Sequence, residues 1–251
     1  MKIVRYLVGG KIYYGMPQDD GTALRIEGDI FGDYTLTDKA DDLSACRLMS
    51  PCKPGKIVAI GKNYVDHIME FDGDIPKNPI IFIKPSTAVI ANGEAIVYPE
   101  ISKRVDYEGE LALVIKRAAH HVKREQARDY ILGYTILNDV TARDIQASDG
   151  QWTRAKCFDT FAPVGPVITD EIDPDNVSIR TLLNGEIKQD SNTSSLNWKV
   201  DELVEFVTEV MTLQPGDIIT TGTPSGIGPM EKGDTVEVVI EGIGTLKNYV
   251  K

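Results

Sequence analysis

RVDYEGELALVIKR (residues 104–117), followed by DYILGYTILNDVTARDIQ (129–146) and QWTRAKCF (151–158), is the stretch that decides how the rest of the chain reads. Its centre, Leu111-Ala112-Leu113-Val114-Ile115, is an apolar run with the length and composition of a buried strand. Glu108 and Glu110 stand two residues apart just ahead of it. If the strand begins a few residues early, both point to one face, because side chains alternate along a strand. Two carboxylates at the mouth of a buried strand repel each other and lose hydration, so the pair is costly unless something positive sits between them. Residues 130–137 form a second strand-like run, which delivers Asn138 and Asp139 at its end. A third carboxylate can therefore complete a cluster.

Glu108, Glu110 and Asp139, with no His or Cys ligand beside them, make a hard, all-oxygen donor set. Such a set suits Mg²⁺ or Mn²⁺, with Ca²⁺ as a substitute, rather than zinc or copper. Three protein ligands leave about three positions of an octahedral ion for water or substrate, the pattern of a catalytic site more than a structural one. The spacing alone leaves an alternative open. Both glutamates can lie on the wet face of an amphipathic strand while Asp139 caps a turn, since acidic side chains are mostly exposed.

Toward the N-terminus, residues 56–61 read as a strand and NYVDHIMEF (63–71) as a short helix capped by Asn63 or Asp66. His67 and Glu70 then lie at i and i+3 on one face. A carboxylate beside an imidazole fixes its tautomer and raises its basicity, as a general base requires; a surface His–Glu pair without a task has the same spacing. Residues 71–78, with Asp72-Gly73-Asp74 and Pro76, read as a loop able to move. PIIFIK (79–84) reads as a strand ending in Lys84, whose default is to snorkel to solvent. Residues 2–8, 11–15 and 22–26 are short strand patterns separated by the hairpin signals Gly9-Gly10 and Asp19-Asp20-Gly21. The turn formers from Ser50-Pro51 to Pro54-Gly55 set the expected boundary between a small N-terminal β region (1–52) and the remainder (53–251).

Toward the C-terminus, residues 120–130 read as a short amphipathic helix crossing between the two carboxylate-bearing strands, with His120-His121 at its start. Beyond Asp139, Arg143 offers a bidentate fork for a carboxylate and Gln146 offers both a donor and an acceptor. An ion pair of Arg143 with Asp144 or with a metal carboxylate competes with that role. Residues 177–189 and 235–240 read as strands, and Val200, Leu203, Val204, Val207 and Met211 form one helical stripe suited to a core. TTGTPSGIG (220–228) is Gly-rich but matches neither G-x-x-x-x-G-K-[ST] nor G-x-G-x-x-G, so nucleotide binding finds no support.

A net charge of −11 argues against nucleic acid or an anionic membrane surface as partner. It leaves room for a small anionic substrate, since a bound divalent ion and a few Lys or Arg reverse the local field. Three scattered cysteines, Cys46, Cys52 and Cys157, make neither a disulfide framework nor a zinc pattern. MKIVRYLVGG lacks the long apolar core of a signal peptide, and no apolar run approaches the ~20 residues that span a bilayer. The expectation is a cytoplasmic protein. Short strands, few helices and no regular βαβ alternation point to a β-rich α+β fold.

Six segments, GKNYVDHIMEF, IFIKPST, VDYEGELALVI, GYTILNDVTARDIQ, QWTRAK and TTGTPSGIG, in that order, resemble the fumarylacetoacetate hydrolase family over about residues 55–251. The resemblance implies a mixed β-sandwich roll, preceded by the small β region many bacterial members carry, and assembled as a homodimer or a dimer of dimers. It implies Mg²⁺ or Mn²⁺ on Glu108, Glu110 and Asp139. It also implies that His67 and Glu70 form an H-x-x-E dyad on a mobile lid that activates water. By the same likeness Lys84 faces the cavity, Lys156 holds a substrate carboxylate or steadies an enolate, and Thr223 hydrogen-bonds the substrate carboxylate. One departure is Lys62 in GKNY, where many relatives have Arg, which bears on substrate recognition and leaves the metal ligands untouched.

A divalent ion with open positions chelates the keto and carboxylate oxygens of a 2-oxo acid and stabilises the enolate formed when a bond to C3 breaks. An acyl group on C3 leads to hydrolysis by activated water, a carboxylate on C3 to decarboxylation, and an extended dienol acid to isomerisation. The presence of both His67 and Glu70 puts C–C hydrolysis of acylpyruvate-type 2,4-dioxo acids first. Decarboxylation of oxaloacetate or a related 2-oxo diacid, and isomerisation of 2-hydroxyhepta-2,4-diene-1,7-dioate, are the alternatives. A non-catalytic binding protein on the same scaffold predicts a damaged ligand set or a missing dyad, and the sequence shows neither.

Overall fold

The structure, a computed structural model, describes residues 1–70 and 75–251. The first fifty residues form β1 (Lys2–Val8), β2 (Lys11–Pro17), β3 (Thr22–Gly28), β4 (Tyr34–Asp42) and β5 (Arg47–Met49). β1 to β3 answer the three expected strands. β4 was not foreseen, because YTLTDKADD shows no apolar alternation. It forms by pairing along β3 at the end of the sheet, where charged side chains discourage another chain from adding on.

Next come β6 (Lys56–Gly61), the helix α1 (Val65–Glu70), β7 (Ile80–Pro85), β8 (Val89–Ile90), β9 (Ala95–Ile96), β10 (Val105–Tyr107), β11 (Gly109–Ile115), β12 (Ile131–Asn138) and β13 (Thr141–Ala142). Helices α2 (Arg143–Asp149) and α3 (Thr153–Lys156) precede β14 (Ala162–Thr169), β15 (Ser178–Leu183) and β16 (Glu186–Asn192). Helix α4 (Val200–Val210), β17 (Ile218–Thr220), β18 (Gly228–Met230), β19 (Thr235–Ile240) and β20 (Gly244–Val250) complete the chain.

Among the described residues one large sheet runs β4-β3-β2-β1-β14-β12-β11-β17-β6-β7, with β5 on β1 and β8 on β14. β1 pairs with both β2 and β14, so the N-terminal strands extend the sheet that carries the acidic residues. A five-stranded sheet, β16-β15-β19-β20-β9, and a small one, β13-β10-β18, accompany it. β11 shows how the layers meet. Leu111, Leu113 and Ile115 enter one core with Ile179, Val238, Ile240 and Leu246 of the five-stranded sheet and with the α4 stripe. Ala112 and Val114 enter a second core on the opposite face, with Ile57, Leu137 and Ile168. Each of these Leu, Ile and Val side chains, fully buried, contributes roughly 1.5–3 kcal/mol of transfer free energy. The β-sandwich roll expected of the family is thus the observed fold.

Two segments differ from expectation. Residues 120–130 are not an α-helix; a 3₁₀ turn covers Arg124–Tyr130, and Ala119 bridges to Leu213 instead. Residues 177–189 are not one strand but the hairpin β15–β16, turned at Asn184 and Gly185, both with positive φ (53° and 84°). The loop expected over residues 71–78, which continues the lid expected to carry His67 and Glu70, includes 71–74, which lie outside the described residues. Among the described residues no helix is long and apolar enough to cross a membrane.

Candidate metal centre and its cavity

β11 and β12 are antiparallel, with Gly109 opposite Asn138. That register sets Glu108 across from Asp139, whose N–H donates to the Glu108 carbonyl at 2.8 Å. Asn138 Oδ1 accepts the Glu108 N–H at 2.9 Å and ties the two strand ends together. Glu110 shares a face with Glu108 because Gly109, between them, faces the five-stranded sheet. A Cβ there would lie 2.3 Å from Thr181 Oγ1 and 2.9 Å from Val238 Cγ1, so only glycine allows the approach. The three carboxylates each present an oxygen within 4.8 Å of the other two, and all three residues are buried.

Three cations close on this cluster. Lys156, at the end of α3, donates to Glu108 Oε2 at 2.7 Å and to Asp139 Oδ2 at 2.6 Å. Lys84, at the end of β7, donates to Asp139 Oδ1 at 2.6 Å, to the Lys156 carbonyl at 2.5 Å and to the Val140 carbonyl at 3.3 Å. Arg143, which opens α2, pairs with Asp106 Oδ2 at 2.9 Å, with Glu108 Oε1, and with Gln146 Oε1 at 2.5 Å. Burial alone would raise the Glu108 carboxyl, but Lys156 and then Arg143 hold it well below the usual range. Among the described residues Glu110 has no such ion-pair partner; its Oε2 accepts the Gly222 N–H at 3.0 Å. Burial first, then the charges of Asp139 and Glu108, push it well above the usual range. That uncompensated oxygen, beside two others at coordination spacing, is the place a hard divalent cation fits.

The cluster floors a cavity of about 340 Å³, within the size range of small-molecule sites. Lys156, Arg143, Gln146, Thr223 and Lys62 line it, with an apolar wall of Ile60, Ile68, Phe82 and Trp152. Across it stands α1, where His67 Nδ1 and Glu70 Oε2 are 3.2 Å apart, and His67 lines the same cavity. Glu70 also accepts the Gly226 N–H at 3.2 Å, which ties α1 to the 220–228 loop.

Three expected substrate contacts have hydrogen-bond partners within the protein, and two of them, Arg143 and Thr223, also line the cavity. Lys84 is fully buried beside Asp139 and donates to Asp139 and to the Val140 and Lys156 carbonyls, which positions Asp139. The Arg143 fork is occupied by Asp106 and Glu108, the competing reading of that residue. The Thr223 hydroxyl donates to the Gly109 carbonyl at 2.9 Å and accepts from Gln189 Nε2 at 2.8 Å, which commits its proton. Gln146 lines the cavity with no acceptor on its amide nitrogen among the described residues. Sequence reasoning assigned no role to Asp106, the buried link between Arg104 and Arg143. Its only signal was its place two residues before Glu108.

The site and fold together define a class: a buried all-oxygen acidic triad able to hold a divalent cation, set in a β-sandwich roll and faced by a His–Glu pair. The profile described as Fumarylacetoacetate (FAA) hydrolase C-terminal matches residues 56–251, and the chain belongs to that family. A second profile, Rv2993c-like, N-terminal, matches residues 1–51. The chain is 51% identical to Protein Rv2993c of Mycobacterium tuberculosis, over 91% of this chain and 88% of that one. It is 40% identical to the oxaloacetate tautomerase YisK of Bacillus subtilis, over 83% of this chain and 74% of the relative. The crystal structure of 5-carboxymethyl-2-hydroxymuconate delta-isomerase from Mycobacterium smegmatis superposes with a TM-score of 0.94 at 44% identity, covering 100% of this chain and 99% of that one. Members of the family are enzymes, among them isomerases and tautomerases.

Proposed function

We propose that this protein catalyses divalent-metal-dependent proton transfer at C3 of a small 2-oxo acid, as a keto–enol tautomerase or isomerase. The observation that carries the reading is His67, paired with Glu70, facing the Glu108–Glu110–Asp139 cluster across one cavity. A divalent ion on those carboxylates would polarise the keto and carboxylate oxygens of the acid and acidify C3. Pairing of Nδ1 with Glu70 gives Nε2 the base role. There it takes a proton from C3, the C–H electrons become the C2–C3 double bond, and the same proton returns to oxygen or, in a dienoate, to a carbon further along. Lys156 keeps its charge, since Asp139 and Glu108 outweigh the effect of its burial, and its remaining N–H can steady the developing oxyanion. Gln146 donates to the substrate carboxylate. The apolar wall keeps bulk water from the C3 carbanion.

C–C hydrolysis of an acylpyruvate-type 2,4-dioxo acid is the second reading, favoured by Glu70, because a carboxylate-backed imidazole also activates water. One assay separates the two. With Mg²⁺ or Mn²⁺, oxaloacetate is followed by the ultraviolet absorbance of its enol, and acetylpyruvate by pyruvate release. Faster enol–keto interconversion that EDTA and His67→Ala both abolish supports the tautomerase. Pyruvate release from acetylpyruvate without enol interconversion moves the assignment to hydrolysis, and metal-independent turnover of either substrate overturns both.

A further inference from the structure

A second cavity, of about 420 Å³, opens between the N-terminal strands and the turn after β7. Arg5 of β1 reaches into it and is only 5% exposed. Among the described residues it forms no ion pair. Its Nη1 donates to the Ser50 carbonyl at 3.2 Å, and the Tyr14 ring centre lies 6.0 Å from its guanidinium carbon. A guanidinium cannot shed its charge, and a buried one without a counter-ion is a standing desolvation cost. The neighbouring acids are engaged elsewhere. Glu94, on the cavity wall, pairs with Arg47 and accepts the Ala91 N–H at 2.7 Å. Asp217, near Cys52, holds Lys56 at 2.5 Å and the backbone N–H groups of Lys56 and Gln214. Arg5 lines the cavity, and its Nε and Nη2 have no acceptor among the described residues. Lys53, also without an ion pair among the described residues, stands on the same wall, while Val89 and Ile90 give an apolar side.

We propose that this cavity binds a small organic oxyanion, with its carboxylate or phosphate on Arg5 and Lys53 and its carbon body against Val89 and Ile90. A planar fork with open donors matches either group in a bidentate fashion, and Lys53 adds a point charge at the mouth. Ser86, also on the wall, follows Lys84 by two residues, so the occupant sits on the chain segment that positions Asp139.

The test is isothermal titration of the metal-loaded full chain with inorganic phosphate and, separately, with succinate. The expected result is one binding event per chain. Arg5→Gln weakens it about tenfold or more, as loss of a charge-assisted bidentate contact does. Lys53→Glu, at an exposed position that folds even if Arg5→Gln does not, weakens it severalfold, and Gln146→Ala in the metal-centre cavity leaves it unmoved. Binding of phosphate alone assigns a phosphoryl ligand and binding of succinate alone a carboxylate; either supports the site. No event at millimolar concentrations, or one that Gln146→Ala removes while Lys53→Glu and Arg5→Gln leave it intact, overturns the proposal. The readout is heat of binding, so it stands or falls apart from the tautomerase reading.

Discussion

Replacing Glu110 by Gln should stabilise the metal-free protein while abolishing its response to metal, opposite effects from one residue. Gln keeps the shape and can still accept the Gly222 N–H. What it removes is a carboxyl that burial, Asp139 and Glu108 push well above its ordinary value. The folded state therefore holds a proton that the unfolded chain has already released, so stability falls as pH rises from the ordinary carboxylate range to that raised value. Below the ordinary range no such penalty exists, and wild type and variant should melt together. Each pH unit inside the window should widen the gap by about 1.4 kcal/mol, or roughly 3–5 °C of Tm for a chain of this size. Metal at ~100 times its Kd should add about 2.7 kcal/mol to the wild type, roughly 5–10 °C, and far less to the variant, which lacks a ligand. The assay is thermal unfolding from pH 5 to pH 8, with EDTA and with Mg²⁺ or Mn²⁺. A metal-free variant that melts below the wild type at pH 8, or keeps the full metal shift, refutes the reasoning.

Other outcomes follow from the same geometry. His67→Ala should lower kcat by about 10²–10⁴ while leaving the metal-induced Tm shift intact, measured by steady-state kinetics beside melting curves. Lys84→Met takes from Asp139 a buried cation 2.6 Å away and should cost roughly 3–5 kcal/mol in urea unfolding of the metal-free protein. Gly61→Ala places a Cβ 2.4 Å from Trp152 Cζ3, so the indole must leave the cavity wall. KM should rise more than kcat falls, with a change in tryptophan fluorescence, and unchanged KM would show that Trp152 does not shape the substrate site.

The acidic centre was legible because it rests on backbone periodicity. A period of two put Glu108 and Glu110 on one face, a strand ending at Asn138 delivered Asp139, and the i, i+3 spacing of a helix joined His67 to Glu70. The apolar run 111–115 announced a buried strand before any partner was known. The counter-charges were not legible in this way. Lys84 and Lys156 meet Asp139 across 55 and 17 residues, and only the pairing of β7 on β6 and the placement of α3 bring both ammonium groups onto one carboxylate. β4 was hidden for a related reason, since a polar edge strand is held by pairing with β3 and not by its own pattern. Arg143 could have held a substrate or an ion pair until the fold set Asp106 and Glu108 within its reach. The sequence by itself determined which residues could carry negative charge to one place, because local spacing is a property of the chain. Tertiary structure alone decided which positive groups answer them and which carboxylate, Glu110, pairs with none among the described residues, because those contacts join segments that no local rule connects.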